Sequence, residues 1–115
     1  MLFVENKRLN DFAQDVYQVA IEHGWWEQEP SFPEVISLCH AELSEALEEY
    51  RKGIKPGEIY LDERGAECGI GPELADVILR ILDYCAHKEM DIEGLLMRKN
   101  EYNKTRPYKH GGKVI

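Results

Sequence analysis

The sequence lacks any long apolar run. No stretch of its 115 residues approaches the roughly eighteen consecutive apolar residues that a membrane-spanning helix requires. The first twelve residues, MLFVENKRLNDF, also lack the apolar core and the cleavage site of a secretory signal. We therefore expect a cytoplasmic protein without membrane partners.

Cysteine and histidine are scarce and widely spaced. Three cysteines without a CxxC pair predict neither a disulfide framework nor a zinc site. Two of the cysteines lie among apolar neighbours on predicted helices, where cysteine packs like a small apolar residue. The four histidines are scattered and fit surface or capping positions better than a metal site; they are His23, His40, His87 and His110.

An overall excess of positive charge is also absent. The formal net charge is −8, which argues against a nucleic-acid partner because such affinity comes largely from Lys and Arg neutralising phosphates. Yet six of the 14 basic residues lie between Arg98 and Ile115, where Glu101 is the single acid. The basic tail, at about residues 104–115, fits either a solvated terminus or a polyanion-binding segment beside an acidic, metal-binding body.

The hydrophobic periodicity predicts four helices and no sustained strand alternation. The helices span about residues 5–23, 31–52, 72–87 and 92–106, with Gly24, Gly53 and Pro107 as natural stops. A long glycine-rich loop separates the second and third helices, with a short extended piece at about 58–61. The chain is therefore predicted to be a single all-α domain, residues 1–115, folded as an antiparallel four-helix bundle.

The second predicted helix carries acids on its apolar side. In HAELSEALEEYRKG, residues 40–53, a turn of about 100° per residue places Glu42, Glu45 and Glu49 on the side that also carries Leu38 and Ala46. Acids on an amphipathic helix ordinarily lie on its solvent face. These three are therefore predicted to face a cavity or another subunit.

The third predicted helix repeats this arrangement. Glu73, Asp76, Arg80 and Asp83 form a narrow polar strip on a helix that is otherwise almost entirely apolar. Carboxylates that share a buried cavity repel one another and lose hydration, so a cation must compensate them. Oxygen ligands on rigid helices suit Mg²⁺, with Mn²⁺ as a second possibility. A di-iron site is not predicted, because the Glu-x-x-His pairs it needs are missing.

The fourth predicted helix brings the opposite charge. Lys99, Asn103 and Arg106 follow at i, i+4 and i+7 and share a face with apolar residues. Beside a carboxylate-bound Mg²⁺, these groups could hold a phosphate chain. The alternative is that Lys99 and Arg106 pair with the acids as buried salt bridges. Trp25 and Trp26 fit either stacking on a nucleobase or packing.

Taken together, these motifs resemble the MazG-like all-α nucleotide pyrophosphohydrolases. The signature of that family, ExxE followed by ExxD, is matched by ELSE, with Glu42 and Glu45, and by ELAD, with Glu73 and Asp76. The downstream segment KNEYNKTRPYKHGGK is similar to the Lys-x3-Asn-x2-Arg segment and Gly-Lys tail of small members. The resemblance covers roughly residues 33–113.

The resemblance implies an enzyme that hydrolyses phosphoric anhydrides. It implies Mg²⁺-dependent cleavage of a nucleoside triphosphate between the α and β phosphates, and a homodimer or homotetramer. Glu42, Glu45, Glu73 and Asp76 would be metal ligands, and one helix-two glutamate, Glu42 or Glu45, would activate water. Lys99, Asn103 and Arg106 would bind substrate. Outside the resemblance, Trp25 is a candidate for stacking on the base, and Glu49, which lies on the same inward face but outside the signature, is a candidate outer-shell ligand.

A second hypothesis stays open. The chain could be a non-catalytic helical bundle that binds nucleotides or a protein partner, with the acids as a structural metal site. The enzyme is favoured, because a structural role does not need acids and bases converging from three helices.

Overall fold

The chain is mainly helical in a computed structural model that describes residues 8–115. The described elements, in chain order, are α1 (Leu9–Glu22), α2 (Phe32–Arg51), β1 (Tyr60–Leu61), β2 (Glu67–Cys68), α3 (Ile70–His87), α4 (Ile92–Lys104) and α5 (Lys109–Gly112). The four predicted helices are present. The start predicted for the first of them, at about Glu5, lies outside the described residues.

The ends of α2 and α4 follow from local capping. The Ser31 hydroxyl accepts a 3.3 Å hydrogen bond from the Glu34 N–H at the start of α2, and the Asp91 carboxylate accepts a 3.0 Å bond from the Gly94 N–H at the start of α4. Each cap satisfies a backbone donor that has no partner within its helix. Gly53, at φ 90°, follows α2 and adopts the left-handed conformation that terminates helices. These predicted ends are confirmed.

The loop between α2 and α3 contains a β-hairpin where the sequence predicted one short extended piece. β1 and β2 pair antiparallel, with Tyr60 opposite Cys68 and Leu61 opposite Glu67. The Asp62 carboxylate accepts hydrogen bonds from the Arg64 and Ala66 N–H groups and closes the turn. Strands of two residues are too short to produce a detectable alternation.

Two further elements differ from the prediction. α3 begins at Ile70, two residues before the predicted start at Pro72, because Gly69 turns the chain at φ 136° and lies against the Glu58 carbonyl oxygen. The short element α5, in the basic tail, was also not predicted; its four residues all have positive φ, between 49° and 94°, so it is a left-handed turn. Its four residues carry no apolar periodicity.

α1 and α2 both pack on α3. The core between α1 and α3 consists of Ala13, Leu82 and Ala86, with Leu9 and Ile92 against it. α4 packs on α1 and is fixed there by its Glu93 carboxylate, which accepts a 2.7 Å bond from the N–H of Leu9. The arrangement leaves the N-terminal half of α3 facing α2, and this is where the acids lie.

Cys39 and Cys85 are buried, as predicted for packing residues. Burial raises the pKa of both thiols, so they stay protonated and inert near neutral pH.

Two apolar stripes remain uncovered on the single chain. On α2 the stripe is Leu43, Leu47 and Tyr50, and on α3 it includes Leu74 and Ile78. The radius of gyration is 16.8 Å, whereas a compact chain of this length has about 13 Å.

Among residues 8–115, none of the helices combines the length and the apolar composition that a membrane span requires.

Candidate functional site

Acids from α2 and α3 converge on one point. One carboxylate oxygen from each of Glu42, Glu73 and Asp76 lies within 4.8 Å of the other two. The i, i+3 spacing of Glu73 and Asp76 puts both on one face of α3, and α2 packs along that face with Glu42 opposite. Three of the four predicted ligands therefore meet.

Glu45, the fourth predicted ligand, lies beside this group on the more exposed side. Its carboxylate is close enough to influence Glu73 electrostatically. Burial, as the largest cause, and the neighbouring carboxylates of Glu45, Asp76 and Glu42 together raise the pKa of Glu73 to about 7. Burial and the charge of Glu42 also raise the pKa of Asp76, which the Arg80 guanidinium opposes.

One oxygen of this group is buried without a hydrogen-bond partner among residues 8–115. This oxygen is Glu73 Oε2. A buried acceptor without a donor is unfavourable, and a cation would satisfy it. The ligand oxygens of an octahedral Mg²⁺ site lie about 2.9 to 4.2 Å apart, given metal–oxygen distances near 2.1 Å. The separation of the three acids fits such an ion after a small closure of the side chains, so Glu42, Glu73 and Asp76 could hold a metal.

Arg80 is a member of the site that the sequence reasoning did not name as a functional residue. Its Nε and Nη2 atoms donate to Glu42 Oε1 at 3.1 and 3.0 Å, and the Glu42 side chain is only 12% exposed. The position of Arg80 one turn after Asp76, within the polar strip of α3, was the available signal. The pair orients Glu42 and leaves its second oxygen for another ligand.

Glu49, considered above as an outer-shell metal ligand, contacts the hairpin and Lys52 in the structure. Its side chain is buried and accepts a hydrogen bond from the Tyr60 hydroxyl, whose oxygen lies 2.8 Å from each carboxylate oxygen of Glu49. Lys52 lies 3.4 Å from it as an ion pair. Glu49 therefore ties the hairpin to α2, beside the acids.

A cavity of about 670 Å³ opens next to the acids, between α1, α2 and α3. Glu42, Asp76 and Arg80 form part of its wall, and Trp25 and Trp26 form another part. Small-molecule sites typically have volumes of about 300 to 1,000 Å³. The cavity is therefore large enough for a molecule that touches both the acids and the aromatic wall.

The two tryptophans differ in their surroundings. Trp25 is 70% exposed. Trp26 is half-buried, with its ring stacked on His87 at 3.8 Å between centroids. The ring of Trp25 is thus free to meet a ligand, whereas one face of Trp26 is already covered.

The three predicted substrate-binding residues of α4 are not brought to the acids within one chain. Lys99, Asn103 and Arg106 are exposed, and Lys99 Nζ lies 5.8 Å from the centroid of the Tyr102 ring. In the described part of the chain, neither Lys99 nor Arg106 forms an ion pair with Glu42, Glu45, Glu73 or Asp76. The alternative of buried salt bridges between them is therefore not seen in the single chain.

Comparisons of the chain with protein-family models, with curated proteins and with solved structures find no match.

Proposed function

We propose that this protein is a Mg²⁺-dependent nucleoside triphosphate pyrophosphohydrolase of the MazG-like all-α class. The observation that carries the proposal is the group of acids on α2 and α3 in the wall of a cavity that also exposes Trp25. A polyphosphate would be repelled by this group of acids unless a cation lay between them. An aromatic ring suits the nucleobase end of the same molecule.

The proposed reaction is hydrolysis at the α phosphorus. The oxygen of a water molecule forms a bond to that phosphorus, and the bond from the phosphorus to the oxygen bridging the α and β phosphates breaks. Pyrophosphate leaves with the bonding electron pair, and a nucleoside monophosphate remains. Mg²⁺, bound by Glu42, Glu73 and Asp76, would neutralise phosphate charge and make the water more acidic.

Glu45 is the preferred candidate to accept the proton of the water. Glu42 already accepts two hydrogen bonds from Arg80 on Oε1 and belongs to the metal-binding group. Glu45 lies beside that group on its open side, where water has access. Trp25 would stack on the base of the substrate.

We also propose that the active form is a homo-oligomer, a dimer or a tetramer, in which the antiparallel four-helix bundle is completed between copies. The uncovered stripes on α2 and α3 need a partner, because contiguous exposed apolar surface marks association sites. α4 begins against the far end of α3, near Ala86, about 20 Å along the helix from Glu73. Lys99, Asn103 and Arg106 would then reach the substrate phosphates from a neighbouring copy.

The decisive experiment measures pyrophosphate and monophosphate from a panel of ribo- and deoxyribonucleoside triphosphates, in Mg²⁺ and in EDTA. We expect both products in Mg²⁺, because the carboxylates alone do not neutralise phosphate charge. Turnover in EDTA, or release of inorganic phosphate in place of pyrophosphate, would contradict the proposal. Nucleotide binding without turnover would support the non-catalytic bundle.

Matched variants connect the activity to the acids. Glu45→Gln and Asp76→Asn should each reduce turnover by at least about a hundredfold, the usual range for losing a proton acceptor or a charge-stabilising group. Glu48→Gln is the control, because Glu48 is an exposed acid on the same helix that pairs with Arg51. Circular dichroism checks that each variant is folded. Activity retained in both Glu45→Gln and Asp76→Asn would refute the proposed site.

The sharing of sites between copies has its own test. Glu45→Gln and Arg106→Ala, each inactive alone, should regain activity when unfolded and refolded together, because some sites then combine intact acids from one copy with an intact Arg106 from another. Ultracentrifugation measures the mass of the assembly. A monomer with full activity would refute the sharing.

A further inference from the structure

The inner wall of the cavity is built by a network around Trp26. The Trp26 ring stacks on His87 with 16° between the planes, and the edge of Tyr17 meets Trp26 at 5.6 Å. The Tyr17 hydroxyl is 2.7 Å from His87 Nδ1, and Glu29 Oε1 is 2.8 Å from His87 Nε2. These contacts hold the Trp26 ring in one orientation, with its Nε1–H directed at α3.

The acceptor of that N–H is Asp83. Trp26 Nε1 donates to Asp83 Oδ1 at 2.9 Å, and Asp83 lines the cavity. It belongs to the polar strip of α3, seven residues after Asp76 and therefore about 10 Å along the helix axis from the acids. That separation is appropriate for the distance from the phosphates of a nucleotide to its base.

The second oxygen of Asp83, Oδ2, accepts no hydrogen bond from residues 8–115, and the nearby Arg80 directs its Nε and Nη2 atoms to Glu42. Asp83 is half-buried, and burial raises the pKa of its carboxyl, while the bond from Trp26 and the charges of His87 and Arg80 oppose the rise. A half-buried carboxylate oxygen on a cavity wall gains from a donor on the molecule that fills the cavity.

We propose that Asp83 selects nucleobases that present an exocyclic amino group, cytosine or adenine, over bases with a carbonyl at that position. The proposal rests on the function proposed above and assigns its base specificity. An ionised carboxylate only accepts hydrogen bonds, so Oδ2 attracts the amino hydrogens of cytosine or adenine and repels the carbonyl oxygen of uracil or thymine. Val19, Ala20 and Leu79 form apolar parts of the cavity wall, which also includes the polar side chains of His23, Glu34 and Tyr84.

The test compares substrates that differ in the exocyclic group of the base. dCTP carries an amino group at carbon 4 where dUTP carries a carbonyl, and dATP carries an amino group at carbon 6 where dITP carries a carbonyl. The adjacent ring nitrogen, N3 or N1, accepts a hydrogen bond in the amino member of each pair and donates one in the carbonyl member. The wild-type protein should favour the amino member of each pair in kcat/KM by roughly tenfold or more, the usual range for one specific contact between a side chain and a base.

Asp83→Asn should reverse or remove this preference. The amide oxygen can still accept the Trp26 N–H, and the amide nitrogen then presents a donor to the cavity, which favours the carbonyl of dUTP and dITP. Asp83→Ala should lose discrimination without reversing it. Asp11→Asn is the control, because Asp11 is exposed on the first turn of α1 and does not line this cavity. Thermal unfolding checks that Trp26 still packs in each variant.

The outcomes separate this proposal from the proposed function. Equal kcat/KM for dCTP and dUTP in the wild type, or the same ratio in the wild type and Asp83→Asn, would overturn the role of Asp83 and leave the pyrophosphohydrolase intact. If no triphosphate is hydrolysed, the proposed function falls, and calorimetric titration with dCMP and dUMP then decides the base preference. Tighter binding of dCMP than dUMP that Asp83→Asn abolishes would support the proposal, and equal or no binding would overturn it.

Discussion

The raised pKa of Glu73 allows the group of acids to be tested without any substrate, through the pH dependence of the free energy of unfolding. A glutamate in the unfolded chain has a pKa of 4.5, and the folded protein raises this value to about 7. Between these values the folded state binds more protons than the unfolded state, so the free energy of unfolding falls as pH rises. Above about pH 7 the loss is complete, and below about pH 4.5 it is absent.

Glu73→Gln should therefore stabilise the metal-free protein at alkaline pH. The difference between the two pKa values, at about 1.4 kcal/mol per pH unit, corresponds to at most roughly 3 to 4 kcal/mol. We expect about 2 kcal/mol, because the neighbouring Glu45 is exposed and solvent screens part of the repulsion. At about pH 5 the variant and the wild type should be nearly equal in stability.

The assay is equilibrium unfolding in urea, followed by circular dichroism in EDTA, at a fixed protein concentration between about pH 5 and pH 8. Glu63→Gln, which removes an exposed acid of the hairpin turn, should change stability by less than about 0.5 kcal/mol at every pH. Mg²⁺ should stabilise the wild type more than Glu73→Gln, since the variant has lost one ligand.

One result would refute this reasoning. If the difference in stability between the wild type and Glu73→Gln stays the same from about pH 5 to pH 8, Glu73 does not carry a raised pKa. Glu73 would then not lie in the close group of carboxylates described above.

Three further substitutions test the scaffold, each by its midpoint of unfolding. Leu82→Ala removes a core side chain that is 3% exposed and should lower stability by about 2 to 5 kcal/mol; an unchanged midpoint would place Leu82 outside the core. Gly69→Ala should cost about 1 to 3 kcal/mol, because φ is 136° and the added Cβ would lie 2.6 Å from the Glu58 carbonyl oxygen; a neutral result would contradict this close approach. Tyr60→Phe removes the hydroxyl that donates to Glu49 and should lower the free energy of unfolding by about 1 to 3 kcal/mol. An unchanged midpoint would show that the hydrogen bond between Tyr60 and Glu49 does not stabilise the fold.

The helices could be predicted because their signals are local. Ser31 and Asp91 cap the turns that immediately follow them, and Gly53 ends α2 within the same short segment. Each interaction spans a few residues, so the order of residues alone indicates it.

The start of α3 could not be predicted in this way. It depends on the approach of Gly69 to the Glu58 carbonyl oxygen across the hairpin. Glycine at position 69 is visible in the sequence, but the oxygen it must avoid is not. Pro72, a strong local signal for the first turn, therefore placed the predicted start two residues too late.

For the candidate site, the sequence by itself determined which helix faces carry the acids, because the 3.6-residue period assigns Glu42 to α2 and Glu73 and Asp76 to α3 before any packing is known. Only the tertiary structure decided that one oxygen from each lies within 4.8 Å of the others, and that Arg80 pairs with Glu42 across 38 residues of chain. The same holds for Asp83, whose bond to Trp26 joins residues 57 apart. The physical reason is that helical periodicity fixes directions around one axis, whereas distances between helices depend on how their side chains pack.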